Sequence, residues 1–247
     1  MTGRRARLAL AAVAVLALLV GGLLLALAKS TPPAPAERPA AQRPELMLLT
    51  ALPIFFPERL TLDAPPSPAL AALQSRYRLV PISVTDAQEL GGRRLLLMAQ
   101  PQAQPAEALV DLDQWVRGGG RLLLLADPAL DWPSERPLGD RLRPPLAFAD
   151  TGLLGHWGLS LDAPEARGPA SRSVDGREIR TSSAGTLVAT GGACNISAAG
   201  LVARCRLGSG QATIIADSDF LDVGEIEGAV AEANFGLLLD ELARLEQ

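Results

Sequence analysis

Aromatic residues make up only 4% of the 247 positions, and the chain has one histidine and two cysteines. Each shortage narrows what the protein can be. A Ser or Cys triad needs a base beside its nucleophile, and here only His156 could serve. The positive charge is also too small for nucleic acid: 23 Lys and Arg against 27 Asp and Glu give a net charge of −4, and phosphate neutralisation needs a basic face. Neither G-x-x-x-x-G-K-[ST] nor G-x-G-x-x-G occurs, so no phosphate-cradling loop is encoded. G-x-S-x-G, the strand-to-helix elbow that presents a serine nucleophile, is missing too.

What the chain does have is 48% hydrophobic residues, with 23 Gly and 20 Pro, unevenly spread. An uncharged apolar block runs from Leu8 to Ala28, preceded by Arg4, Arg5 and Arg7. A membrane-spanning helix needs about 20 apolar residues, and the flanking arginines place the N-terminus on the cytoplasmic side. Ala26-Leu27-Ala28 has the small-x-small form of a signal-peptidase site, but signal cores usually run about 7–15 residues. The expectation is therefore a retained single-pass anchor over residues 1–28, with the rest of the chain in the bacterial periplasm. Ala11, Ala14, Ala17 and Gly21 share one helical face that another membrane helix could approach closely. Residues 29–45, KSTPPAPAERPAAQRPE, read as a semi-extended linker. Residues 46–247 are enough for one domain with its own core.

Within that domain, LMLLTAL (46–52), RLVPISV (78–84), RRLLLMA (93–99) and RLLLLAD (121–127) are apolar runs of strand length. The last two do not alternate, as expected of strands buried on both faces of a parallel sheet. Between them Ala108, Leu109, Leu112, Trp115 and Val116 recur at helical spacing behind Pro105. Gly118-Gly119-Gly120 follows this helix and precedes a strand. A phosphate loop has the opposite order, so the triplet predicts a helix stop. TGLLGHWGLSLD suggests a short helix entering a strand, and AGTLVAT a further strand. GLVARCRL and QATIIAD around Gly208-Ser209-Gly210 suggest a hairpin. EGAVAEANFGLLLDELARLE closes the chain as an amphipathic helix, with Phe235, Leu238, Leu239 and Leu242 facing the core. The class is α/β: a three-layer, mostly parallel sheet with a C-terminal β-hairpin and closing helix.

Two clusters carry candidate chemistry. Asp217, Asp219 and Asp222 follow a strand, and Asp127 follows another, at the end of the sheet where α/β proteins commonly bind ligands. Counted from Asp217, the EF-hand positions for an acidic ligand and a glycine hold Leu221 and Asp222, so that calcium loop is not present. Asp217 is read as ending its strand and Asp219 as capping the next turn. His156 lies in LLGHWG, where a helix C-terminus suits its charge. Asn195-Ile196-Ser197 fits the glycosylation pattern but matters only in a eukaryotic secretory route. Cys194 and Cys205 would sit in a compartment where thiols oxidise. If the segment around Cys194 runs beside the 201–207 strand, a disulfide is within reach.

The succession LLTALP, LLLMAQP, ALVDLDQWVRGGGRLLLLADP and GSGQATIIADSDFLD, with Asn234 in the closing helix, resembles the extracytoplasmic domain of gliding-motility-type (GldG-like) ABC transport auxiliary proteins. The resemblance covers most of residues 46–245. It implies a class I glutamine amidotransferase-like fold without the catalysis, since Gln100-Pro101 follows the LLLMA strand and neither cysteine stands on an elbow. The expected function is a non-enzymatic auxiliary or binding component of an ABC-type transport system in the envelope, partnered with the membrane and with permease subunits. Its working face would be Asp127, Asp217, Asp219 and Asp222. No cofactor or metal is expected. The rival is an amidotransferase-like or metal-assisted hydrolase using Asp217, Asp219 and His156, and a plain envelope scaffold is the third reading. An enzyme needs His156 within hydrogen-bond reach of an acid or nucleophile in one cleft.

Overall fold

The computed structural model describes residues 35–55, 58, 66–223 and 229–247. The expected anchor, its Ala11, Ala14, Ala17 and Gly21 face, and the first residues of the linker lie outside the described residues. Among the described residues no helix is long and apolar enough to cross a membrane.

The strands are β1 (Glu45–Thr50), β2 (Arg78–Pro81), β3 (Leu95–Ala99), β4 (Arg121–Leu125), β5 (Leu159–Asp162) and β6 (Pro169–Val174). They continue with β7 (Arg177–Ser182), β8 (Thr186–Ala189), β9 (Cys194–Ser197), β10 (Val202–Leu207) and β11 (Gly210–Ile215). The helices are α1 (Pro68–Gln74), α2 (Ala87–Leu90), α3 (Ala106–Arg117), α4 (Leu153–His156) and α5 (Ala229–Leu245). Seven strands form one sheet in the order β2-β1-β3-β4-β11-β10-β9. β1, β2, β3, β4 and β11 are parallel, and β10 runs antiparallel to both its neighbours.

The apolar runs explain why this sheet lies inside the domain. Alternate residues of a strand point to opposite faces, and in β3 all five are buried, so both faces must be covered. Leu46, Leu48, Leu97, Leu123 and Ile215 pack on one side with α1 and α5, through Leu73, Leu238 and Leu242. Met47, Leu96, Met98, Leu122 and Ile214 pack on the other with α2, α3 and α4, through Leu90, Leu112, Val116 and Trp157. The three layers follow from those two apolar faces.

The glycine triplet ends α3, with each glycine serving differently. Gly118 is the cap residue, and its N–H donates to the Gln114 carbonyl. Gly119 takes the left-handed φ of 114°. Gly120 lies under the Trp115 ring, where a Cβ would come within 2.4 Å of a ring carbon. Gly208, at φ 59°, and Ser209 form the two-residue turn of the β10–β11 hairpin, closed by the Leu207–Gly210 pair. In the closing helix Leu238, Leu239 and Leu242 are buried, and Phe235 packs against the same core while only partly buried.

Three local readings change. Within the stretch read as a linker, the described residues dock on the domain: the Arg38 N–H donates to the Ser75 carbonyl at 2.9 Å, and residues 40–42 form a 3-10 turn before β1. The polar stretch 164–184 contains the β6–β7 hairpin, which the absence of an apolar period hid. Its buried positions include Arg177 and Thr181, and Arg177 is held by Asp240 on α5 at 2.6 Å. β9 adds a seventh strand at the sheet edge.

Candidate functional site

Three strand ends converge at the C-terminal side of the sheet, and each contributes a buried polar residue. β3 is followed by Gln100, whose φ of 43° is left-handed, a conformation costing about 1–2 kcal/mol for a residue with a Cβ. The kink turns the side chain into the protein, where it is completely buried. Its amide nitrogen donates to the Asp127 and Pro145 carbonyls, both at 3.1 Å. Its oxygen accepts from the Asp127 N–H at 3.0 Å and the Ser218 hydroxyl at 3.3 Å. A primary amide has two donors and two acceptor sites, and all four are engaged.

Asp127, two residues beyond β4, is equally buried and accepts from the Ala129 N–H at 2.8 Å and the Ser218 N–H at 2.8 Å. Asp217, beyond β11, accepts from the Phe220 N–H at 2.7 Å and the Ser182 N–H at 3.0 Å. Asp219 accepts from the Asp131 N–H at 2.7 Å through one oxygen, while its other oxygen is buried without a hydrogen-bond partner. The Asp131 carboxylate takes the Ser182 hydroxyl at 2.9 Å and the Ser183 hydroxyl. Asp127, Asp217 and Asp219 thus satisfy backbone donors of irregular loops that packing would otherwise leave orphaned.

Crowding Asp127, Asp217 and Asp219 into a dry region shifts their protonation. Burial pushes Asp217 well above the ordinary range, and the neighbouring Asp127 charge adds to this. Asp219 is pushed up to about 8, first by burial and then by the charges of Asp127, Asp131 and Asp222, against the bond from the Asp131 N–H. Burial raises Asp127 as well, with the N–H groups of Ser218, Ala129 and Asp219 pulling the other way.

The structure therefore brings Asp127, Asp217 and Asp219 together, with Asp222 half-buried at the edge. The first three are enclosed, so an incoming molecule meets the loops they hold rather than the carboxylates. Among the described residues no group of three or more His, Cys, Asp or Glu is placed to hold a metal ion. Gln100, Ser218, Asp131, Ser182 and Ser183 complete the network. In the sequence Gln100 is marked only by its place after the LLLMA strand, where a nucleophile would stand. Asn234 extends the network to α5, its side-chain oxygen accepting from the Arg180 N–H at 2.9 Å and its nitrogen donating to the Phe220 carbonyl at 2.7 Å.

His156 is the last residue of α4, as its dipole argument anticipated, and its Nε2 lies 3.5 Å from the Asp113 carboxylate. That carboxylate also takes the Trp157 indole N–H at 2.7 Å and Arg117 at 2.9 Å. Burial alone would raise Asp113, but the bonds from Trp157 and Arg117 hold it below the ordinary range. The pair lies on the α3–α4 side, away from the Asp127 network.

An accessible feature at the C-terminal strand ends is a groove of about 590 Å³ beside the end of β1, lined by Thr50, Leu52, Phe55, Arg136, Arg141 and Leu142. Leu138 and Leu142 stand 74% and 68% exposed. At the other edge of the sheet Cys194 and Cys205 face each other across β9 and β10 and form a disulfide, with Cα atoms 4.0 Å apart.

No protein-family model matches the chain, and no curated protein sequence matches it. Solved structures do. The exo-beta-1,4-mannosidase Op5Man5 from Opitutaceae bacterium strain TAV5 superposes with a TM-score of 0.50 at 16% identity over 84% of this chain, which spans 36% of that enzyme. The mmIFT52 N-terminal domain gives 0.53 at 12% identity, over 82% of this chain and 97% of that one. Cytoplasmic protein STM1381 from Salmonella typhimurium LT2 gives 0.51 at 12% identity, over 81% and 99%. At such identities the likeness carries the fold and no activity: an α/β domain with a mostly parallel central sheet, similar in structure to class I glutamine amidotransferase-like domains.

Proposed function

We propose that the protein is a membrane-anchored, non-enzymatic auxiliary or binding component of an ABC-type transport system, with its α/β domain held outside the cytoplasmic membrane. The observation that carries the non-enzymatic part is Gln100. It occupies the strained turn after β3, where a nucleophile would be sought, yet all its hydrogen-bonding capacity goes into tying β3 to the loops after β4 and β11. Asp127 and Asp217 beside it are likewise committed to backbone N–H groups. The Cys194–Cys205 disulfide supports an oxidising compartment, and the Leu8–Ala28 block supports attachment to the membrane. The groove beside β1 offers mixed apolar and cationic surface for a partner. The transporter itself rests on the family resemblance.

The rival hydrolase reading has one observation in its favour, the approach of His156 to Asp113. No Ser, Thr or Cys nucleophile is hydrogen-bonded to His156 among the described residues. Replacing the histidine separates the readings. His156→Ala should leave transport-linked function within about twofold of wild type. A loss of two orders of magnitude, the usual scale for removing a general base, in a protein that folds normally would favour the hydrolase.

A further inference from the structure

A row of arginines runs along the strand-entry rim of the sheet, at the end opposite the acid network. Glu45 faces Arg78 across β1 and β2, Leu95 faces Arg121 across β3 and β4, and Gln211 faces both Arg121 and Arg206. Arg94 precedes Leu95 and so stands at the same level, as does Arg43 in the segment entering β1. Alternation sends these side chains to both faces of the sheet, so they make a rim and not a pocket. The glutamates within it are taken. Glu45 is shared by Arg78 and Arg93, the latter at 3.7 Å, and Glu246 is held by Arg38 at 2.9 Å. Among the described residues Arg94, Arg121 and Arg206 have no acidic partner, and Arg94 and Arg206 are exposed. Glu37 and the C-terminal carboxylate are all that stands against them and Arg43, which leaves the rim positive. The rest of the domain has the other sign. All 27 Asp and Glu lie beyond residue 36, while Arg4, Arg5, Arg7 and Lys29 precede it, so the domain is more acidic than the chain's −4. An anionic surface therefore repels the body of the domain and attracts this rim.

We infer that the arginine rim docks on an anionic phospholipid surface and turns the acidic strand ends away from it. The choice of a lipid surface rests on the proposed membrane attachment. The segment that follows the expected anchor reaches the sheet at this same rim, through Arg38 and the turn at residues 40–42.

The test places the full chain in nanodiscs of phosphatidylcholine, with or without phosphatidylglycerol, that carry a headgroup quencher. A fluorophore on Ser209→Cys, in the exposed β10–β11 turn, reports the rim, and one on Leu138→Cys reports the opposite end. The native cysteines are paired and do not take the label. Phosphatidylglycerol at low salt should raise quenching at position 209 about threefold, and above that at position 138. Arg94→Gln and Arg206→Gln should each lower the docked-to-undocked ratio about fivefold, the scale of one cation at a charged membrane. Both side chains are exposed, so neither change should disturb the fold. Salt at about 1 M, where the Debye length is about 3 Å, should abolish the rise. Equal quenching in the two lipids, a signal unmoved by salt and by both variants, or stronger quenching at position 138 overturns the docking. A chain that neither disc retains refutes the attachment instead. Co-sedimentation of that chain with phosphatidylglycerol vesicles then decides the rim: binding weakened by salt and by Arg94→Gln supports it, and its absence overturns it.

Discussion

Asp127→Ala is expected to destabilise the domain by about 3 kcal/mol, read as a lower urea midpoint at unchanged slope. The carboxylate is fully buried, and its removal orphans the N–H groups of Ala129 and Ser218. An unsatisfied buried donor costs about 1–3 kcal/mol. Some of that sum is returned, because the buried acid itself is disfavoured there and its pKa is raised. A loss of this size is a large fraction of the roughly 5–15 kcal/mol that holds a domain folded. A change below about 1 kcal/mol would mean that the loops after β4 and β11 are held by packing rather than by this carboxylate.

The acid cluster should also make stability fall as the pH rises. Asp219 titrates near 8 in the folded protein, against about 3.9 in an unfolded chain. Between those values the folded state binds more protons than the unfolded state. Stability contributed by the protonated group is complete below about pH 4 and is lost as the pH rises through 8. Asp217 acts in the same direction. One proton of difference corresponds to about 1.4 kcal/mol per pH unit. Asp219→Asn should therefore flatten the fall between pH 5 and 8 while leaving the part due to Asp217. Urea midpoints across that range decide it, and identical slopes in the variant and wild type would refute the assignment to Asp219.

The fold was largely legible because its sheet is apolar on both faces. LLLMA and RLLLL leave no alternative to burial, and the order of helix, glycine triplet and strand fixed how the triplet would be used. The same logic fails for β6 and β7, whose hairpin is held by polar contacts such as Arg177 with Asp240 and Arg180 with Asn234. Polar contacts between distant segments leave no periodic trace. The site was legible in part. Asp127 and Asp217 could be placed at strand ends from the apolar runs before them, but nothing local in the sequence says that both carboxylates turn inward. Gln100 was harder still: its role depends on a left-handed turn that no glycine announces and on partners 27 and 118 positions away. The disulfide was within reach because the spacing of Cys194 and Cys205 suits two adjacent antiparallel strands, although β9 itself carries little apolar signal.

The most direct measurement is thiol trapping of the full chain in fractionated bacterial cells. The protein is alkylated under denaturing conditions, with and without prior reduction. An extracytoplasmic domain retained by residues 1–28 should be recovered in the membrane fraction with its N-terminal segment intact, and Cys194 and Cys205 should resist alkylation until reduced. A soluble protein beginning at Lys29, or a chain with two free thiols, would contradict the account.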